Sequence, residues 1–251
     1  MGSKKTKPKT SGVAVPPRPS GQVPEPGPGE AGVPSPAARS NAKEVADFVA
    51  KMKAMAPRTG AGRGRLLFAM DATMSRQPTW DMALALQSQM FDAVKSVGGL
   101  AVQLIYFRGA GECQASKWVS KPDALARLMT TVQCRGGYTQ IGKVLSHARQ
   151  ETEKRKVDAV VYVGDCMQED IDDLCGRAGE LALHGVPIFL FQEGYDAAAQ
   201  RAFREIARIT KGAWCPFDAG AAAQLRELLT AVAVYACLLY TSDAADDYFW
   251  V

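Results

Sequence analysis

Histidine is nearly absent, with only His147 and His184 among 251 residues. The six cysteines, at 113, 134, 166, 175, 215 and 237, form no C-x-x-C pair. A structural zinc site needs closely spaced Cys or His ligands, so zinc is not expected, and buried reduced thiols are the expected state of the cysteines. No apolar run approaches the ~20 residues of a transmembrane helix, and the N-terminus lacks the apolar stretch of a secretory signal. A cytoplasmic protein with no membrane partner is therefore expected. There is no internal repeat of short period, which excludes solenoids and propellers.

Net charge is also missing from most of the chain. Thirty Lys plus Arg against 26 Asp plus Glu leave +4, and residues 1–40 hold six basic and two acidic side chains. Residues 41–251 thus carry 24 of each sign, and the bulk-charge case for nucleic acid disappears, so no nucleic-acid partner is expected. Nine of the fourteen prolines lie in residues 1–40. That segment has too little apolar surface to offset the entropy of ordering it and is expected to be a disordered, basic, Pro/Gly-rich tail. Residues 41–65 read as a helix, begun by the capping-box spacing Asn41 to Glu44, and a Gly-rich linker; residues 66–236 form one domain with an ample core. The run Thr59 to Arg65 precedes a strand rather than following one, so it is a linker and not a phosphate loop.

What the domain does have is alternation. Leu66–Met70, Leu100–Phe107, Ala159–Val163 and Ile188–Phe191 are short apolar runs of the kind buried on both faces of a parallel sheet, and Lys117–Ser120 reads as a further short strand. Helices are expected at 80–97, 122–132, 140–156, 171–183, 197–210 and 221–235. The fold class is α/β, a doubly wound, mostly parallel sheet with helices on both faces. Ligands of such sheets bind beyond the carboxyl ends of the strands.

At that edge the first strand ends in Asp71-Ala-Thr73-Met-Ser75, and alternation puts the three oxygen-bearing side chains on one side. The central strand ends in Gly164-Asp165, and Gly136-Gly-Tyr-Thr139 offers a hydroxyl just before a long helix. Two carboxylates and three hydroxyls make an all-oxygen set suited to a hard divalent cation such as Mg²⁺. Taken singly, Asp71, Ser75 and Thr139 could cap helices and Asp165 could be a turn residue. Three separate loops supplying oxygens at one edge favour the metal.

The pattern resembles the von Willebrand factor A-like (VWA) domain and its metal ion-dependent adhesion site, over residues 66–236. Asp71, Ser75, Thr139 and Asp165 match the family motif, and Thr73 replaces a Ser while keeping its hydroxyl. The resemblance implies that the hydroxyls ligate Mg²⁺ or Mn²⁺ directly and that the carboxylates act largely through water. It implies that Thr139 enters or leaves the coordination shell, and that an acidic group of a protein partner completes it. Intracellular members work with AAA+ ATPases or chelatase-like complexes, so such a partner is implied too.

An enzyme is the alternative, a Mg²⁺-dependent phosphatase or hydrolase. Against it, Thr73 stands where aspartyl phosphatases of the haloacid dehalogenase type carry a second acid. There is also no Gly-x-Ser-x-Gly elbow, and neither His has a clear catalytic partner. Around the edge, Trp80 and Tyr138 are candidate anchors for a partner. Arg108 and Glu112 read as a solvated loop, Met52 and Met55 as packing residues, and Glu169, Asp170, Asp172 and Asp173 as acids at a helix start. Residues 237–251, beginning Cys-Leu-Leu-Tyr-Thr-Ser-Asp-Ala-Ala-Asp, resemble the translation of a sequencing adapter; the last helix is expected to lose its pattern after about residue 236.

Overall fold

Burial on both faces decides the central strands. In β1 (Gly64–Asp71) all eight residues are buried, and β4 (Ala159–Gly164) and β5 (Ile188–Glu193) are buried throughout. The computed structural model describes residues 36–55, 63–95, 99–218 and 221–239, with side chains described for 43–54, 63–95, 99–218 and 221–237. With β2 (Leu100–Arg108), β3 (Glu112–Ala115) and β6 (Ala213–Phe217), the strands form one sheet in the order β3-β2-β1-β4-β5-β6. All pairings are parallel except β2 with β3. The doubly wound α/β reading holds.

Helices cover both faces: α1 (Pro36–Met55), α2 (Gln77–Ala93), α3 (Pro122–Thr130) and α7 (Ala222–Leu239) on one, α4 (Ile141–Lys154), α5 (Ile171–Leu183) and α6 (Ala197–Ile209) on the other. The pleat of β1 divides its side chains between the two cores. Leu66, Phe68 and Met70 enter the first, Leu67 and Ala69 the second. The chain builds outward from β1 through β2 to β3, then resumes beside β1 with β4 and runs the other way. The direction of winding therefore reverses between β1 and β4, and that reversal opens a crevice at their carboxyl ends.

Three local expectations need correction. The third strand is Glu112–Ala115, not Lys117–Ser120, of which only Val119 makes a bridge, to Val102. The cause is Ser116, whose Oγ accepts from Leu104 N at 3.1 Å and so replaces the ladder with a side-chain bond. Gly212–Phe217, where no strand is expected, contains β6. Pro216 is tolerated there because β6 is an edge strand. Helix α1 starts at Pro36, inside the segment expected to be disordered, so Asn41 lies within the helix and not at its start. Helix α7 continues to Leu239, with Cys237 buried and its thiol donating to Gly99 O at 3.1 Å. The helix ends three residues past the expected loss of pattern at about 236, and the side chains beyond Cys237 lie outside the described residues. Residues 240–251 of the adapter-like tail, residues 1–35 of the Pro/Gly-rich segment and the linker glycines at 60 and 62 lie outside the described residues.

All six cysteines are free thiols, and Cys134, Cys215 and Cys237 are buried. Among the described residues no helix is long and apolar enough to cross a membrane.

Candidate metal centre

Two neighbouring parallel strands, β1 and β4, end in Asp71 and Gly164-Asp165, so the crevice receives both carboxylates from adjacent backbones. After β1 the chain makes a single 3-10 turn, Met74–Arg76, before α2. That turn brings the motif's side chains round to face Asp165. Thr73 Oγ1 lies 3.4 Å from Ser75 Oγ, which lies 3.4 Å from Asp165 Oδ2. Neither Thr73 nor Arg76, the residues preceding the 3-10 turn and α2, makes a side-chain capping bond. The hydroxyls of the motif are therefore not spent on helix ends.

Asp71 is 1 % exposed. Its Oδ1 accepts from Thr73 N at 2.7 Å, and its Oδ2 has no hydrogen-bond partner. Asp165 repeats the pattern: Oδ2 faces Arg76 Nη2 at 3.2 Å, while Oδ1 is buried and unpartnered. Burial pushes the Asp71 carboxyl up to about 6. The neighbouring Asp165 adds to this, against the hydrogen bonding of Thr73 and the charge of Arg76. A buried carboxylate oxygen without a donor is costly, and two at one edge are the arrangement a cation resolves. Among the described residues no three His, Cys, Asp or Glu side chains cluster as metal ligands. A cation here would rest on hydroxyls and water beside two carboxylates, and the oxygens present fit a hard divalent ion.

Thr139 is buried, but its hydroxyl accepts from Gln168 N at 3.0 Å, and its own N–H donates to Gln168 Oε1 at 3.2 Å. The structure thus gathers Asp71, Thr73, Ser75 and Asp165 directly and holds Thr139 on Gln168, three residues beyond Asp165. Gln140, not Thr139, precedes α4, so the capping alternative does not apply to Thr139.

No protein-family model matches the chain, and no characterised protein matches it in sequence. Solved structures do match in shape. A von Willebrand factor type A protein from Catenulispora acidiphila superposes with a TM-score of 0.59 at 14% identity, over 70% of this chain and 43% of that one. The fold is that of a VWA domain. The SpRpn10 VWA domain agrees, with a TM-score of 0.54 at 13% identity, over 66% of this chain and 94% of the other. So does proximal thread matrix protein 1 of the mussel byssus, in a form with a zinc-occupied MIDAS motif: TM-score 0.55, 17% identity, 69% of this chain and 46% of that one. The match spans less than half the length of the Catenulispora and mussel chains.

On this VWA frame the surrounding candidates sort by burial. Tyr138 is 65% exposed beside the crevice, and so is Met74, inside the motif. Trp80 is not an anchor: it is 1% exposed, its indole N–H donates to Met129 O at 3.1 Å, and its ring meets Tyr106 edge-on. Arg108 and Glu112 pair with each other at 2.8 Å rather than forming a solvated loop. Met52 is buried, as expected of a packing residue, and the Met55 side chain lies outside the described residues. His147 contacts Gln103 at 3.0 Å, and His184 ends α5. Of the four acids, Asp170 caps its own helix α5, but Glu169 reaches across to cap α4, accepting from Ile141 N at 2.6 Å and Gly142 N at 2.8 Å.

Sequence reasoning missed Arg76, Glu193 and Gln168. Glu193 was open to discovery, because it ends β5 at the same edge that pointed to Asp71 and Asp165.

The loop carrying Thr139 depends on Gly137. A Cβ there would overlap the backbone of Gly109, whose carbonyl accepts from Tyr138 N at 3.1 Å. Gly137→Ala is expected to cost about 1–3 kcal/mol by forcing the two loops apart. Gly136→Ala, with open space around its Cβ, should be close to neutral. Urea denaturation of the pair measures the difference, and equal stabilities would remove the steric account.

Proposed function

We propose that the chain is a cytoplasmic protein-binding module that captures an acidic group of a partner through Mg²⁺ or Mn²⁺ held by Asp71, Thr73, Ser75, Thr139 and Asp165. One observation carries this reading: the two unpartnered buried oxygens, Asp71 Oδ2 and Asp165 Oδ1, on adjacent strand ends. The bound ion supplies a coordination position that a partner's carboxylate can fill. Thr73 and Ser75 present neutral oxygens, so the atoms nearest the ion offset little of its charge and leave it open to an incoming anion. Asp71 and Asp165 fix the position and hold ordered water. Thr139 joins the set by exchanging its Gln168 bond for the site, which makes it the movable member.

Docking would cover the exposed side chains of Met74, within the motif, and Tyr138, next to Thr139. A partner rich in Asp or Glu beside an apolar patch fits this face, and an AAA+ ATPase subunit is the class proposed. The hydrolase alternative requires Asp71 to attack a substrate, and its burial and its bond to Thr73 N argue against that role.

A pull-down with the full chain tests the proposal. Chelator is expected to release the captured partner, and Thr139→Ala to weaken capture about tenfold while the circular dichroism spectrum is retained. Capture unaffected by both treatments would take the metal out of the function.

A further inference from the structure

The crevice holds a cation of its own. Arg76 follows the motif directly and is folded inward by the 3-10 turn; it is buried, and so is Glu193. Its Nη2 lies 3.2 Å from Asp165 Oδ2 and its Nη1 lies 2.5 Å from Glu193 Oε2. The Thr79 hydroxyl donates to the same Glu193 oxygen, which seats the pair against the first turn of α2. The guanidinium is not saturated, since Arg76 Nε is buried without a partner.

We infer that the Arg76–Glu193 pair sets the metal affinity of the site: Arg76 opposes the divalent ion and Glu193 restrains that opposition. The inference rests on the metal reading above. Arg76 already neutralises part of Asp165, the carboxylate a metal would use, so an arriving cation meets a fixed, buried positive charge at the edge of the crevice. Glu193 touches Asp165 only through Arg76, and its charge offsets the guanidinium from the far side. With three carboxylates, one guanidinium and one divalent ion the loaded site is neutral. Without Arg76 it would carry a net negative charge, binding metal more tightly and receiving an acidic partner less readily.

The two members therefore have opposite effects, which a merely structural role would not produce. Calorimetric titration of the full chain with Mn²⁺ is the measurement. Arg76→Gln is expected to tighten binding about 10- to 100-fold, and Glu193→Gln to weaken it about tenfold. Because Arg76→Gln leaves Glu193 buried with only the Thr79 hydroxyl and can compromise folding, the double variant Arg76→Gln/Glu193→Gln serves as the second arm. It removes both charges and is expected to bind a few times more tightly than wild type, since Arg76 is the nearer to the site. If wild type binds Mn²⁺ but the double variant does not exceed it, or both single substitutions weaken binding, the inference is overturned while the metal reading stands. If none of the proteins binds Mn²⁺ at millimolar concentration, the metal reading falls and takes the inference with it.

Discussion

Asp71→Asn is expected to abolish divalent-ion binding and to raise the stability of the metal-free fold by about 2–3 kcal/mol at pH 7.5. The Asp71 carboxyl is pushed up from 3.8 to about 6, chiefly by burial. A folded value above the unfolded one means that the fold favours the protonated form. The stabilisation from this group is complete below about pH 4 and is lost as pH rises through 6. The asparagine amide keeps an acceptor for Thr73 N and cannot ionise, so the variant escapes that loss. Urea denaturation in chelator at pH 5 and pH 7.5 should show a gap between wild type and variant at the lower pH that is about half of that at the higher one. A variant less stable than wild type at both values would contradict the burial account of Asp71. Added Mg²⁺ should narrow the gap at pH 7.5 by stabilising wild type alone, through binding to the folded state.

The second large effect belongs to Trp80. Trp80→Ala is expected to destabilise the fold by about 3–5 kcal/mol, because it empties a fully enclosed site and removes the indole bond to Met129 O, leaving that carbonyl only its backbone donor Val132 N. Trp80→Phe refills part of the volume but not the indole donor and should recover part of the loss. Neither should alter partner capture at a temperature where the protein remains folded, whereas Tyr138→Ala should weaken capture with little effect on the denaturation midpoint. If Trp80→Phe reduced capture at unchanged stability, Trp80 would belong to the interface after all.

Trp80 also shows where the sequence stops being readable. Its place beside the strand edge was legible, but its direction was not. Helix α2 starts at Gln77, with Pro78 in its first turn, three residues earlier than the apolar pattern suggested, so Trp80 sits within the helix on its buried face rather than at an exposed start. The buried strands were plain because a run such as Leu66–Met70 has few alternatives. The edges were obscure because β6 contains a proline and β3 is followed by a serine that bonds to the backbone. In the crevice, Asp71 and Asp165 could be found from strand ends alone, and the hydroxyls from spacing. Arg76 could not, since a basic residue just past a loop motif is ordinarily solvated, and only the 3-10 turn shows it folded back between two acids. Thr139 was placed at the right edge, but nothing in the chain announced that Gln168 would hold it.

The close approach of Gly137 to Gly109 has a mechanical consequence. Gln140 Nε2 donates to both Arg108 O and Glu112 O at 3.2 Å, and Lys143 Nζ donates to Gly111 O at 2.7 Å. The turn between β2 and β3 and the segment leading into α4 are thus bolted together as one rigid piece. If Thr139 shifts toward a bound ion, the displacement passes through this piece to the antiparallel edge of the sheet. Conversely, lengthening the hairpin tip by a residue, ordinarily a silent edit to a surface loop, would retune the crevice from a distance.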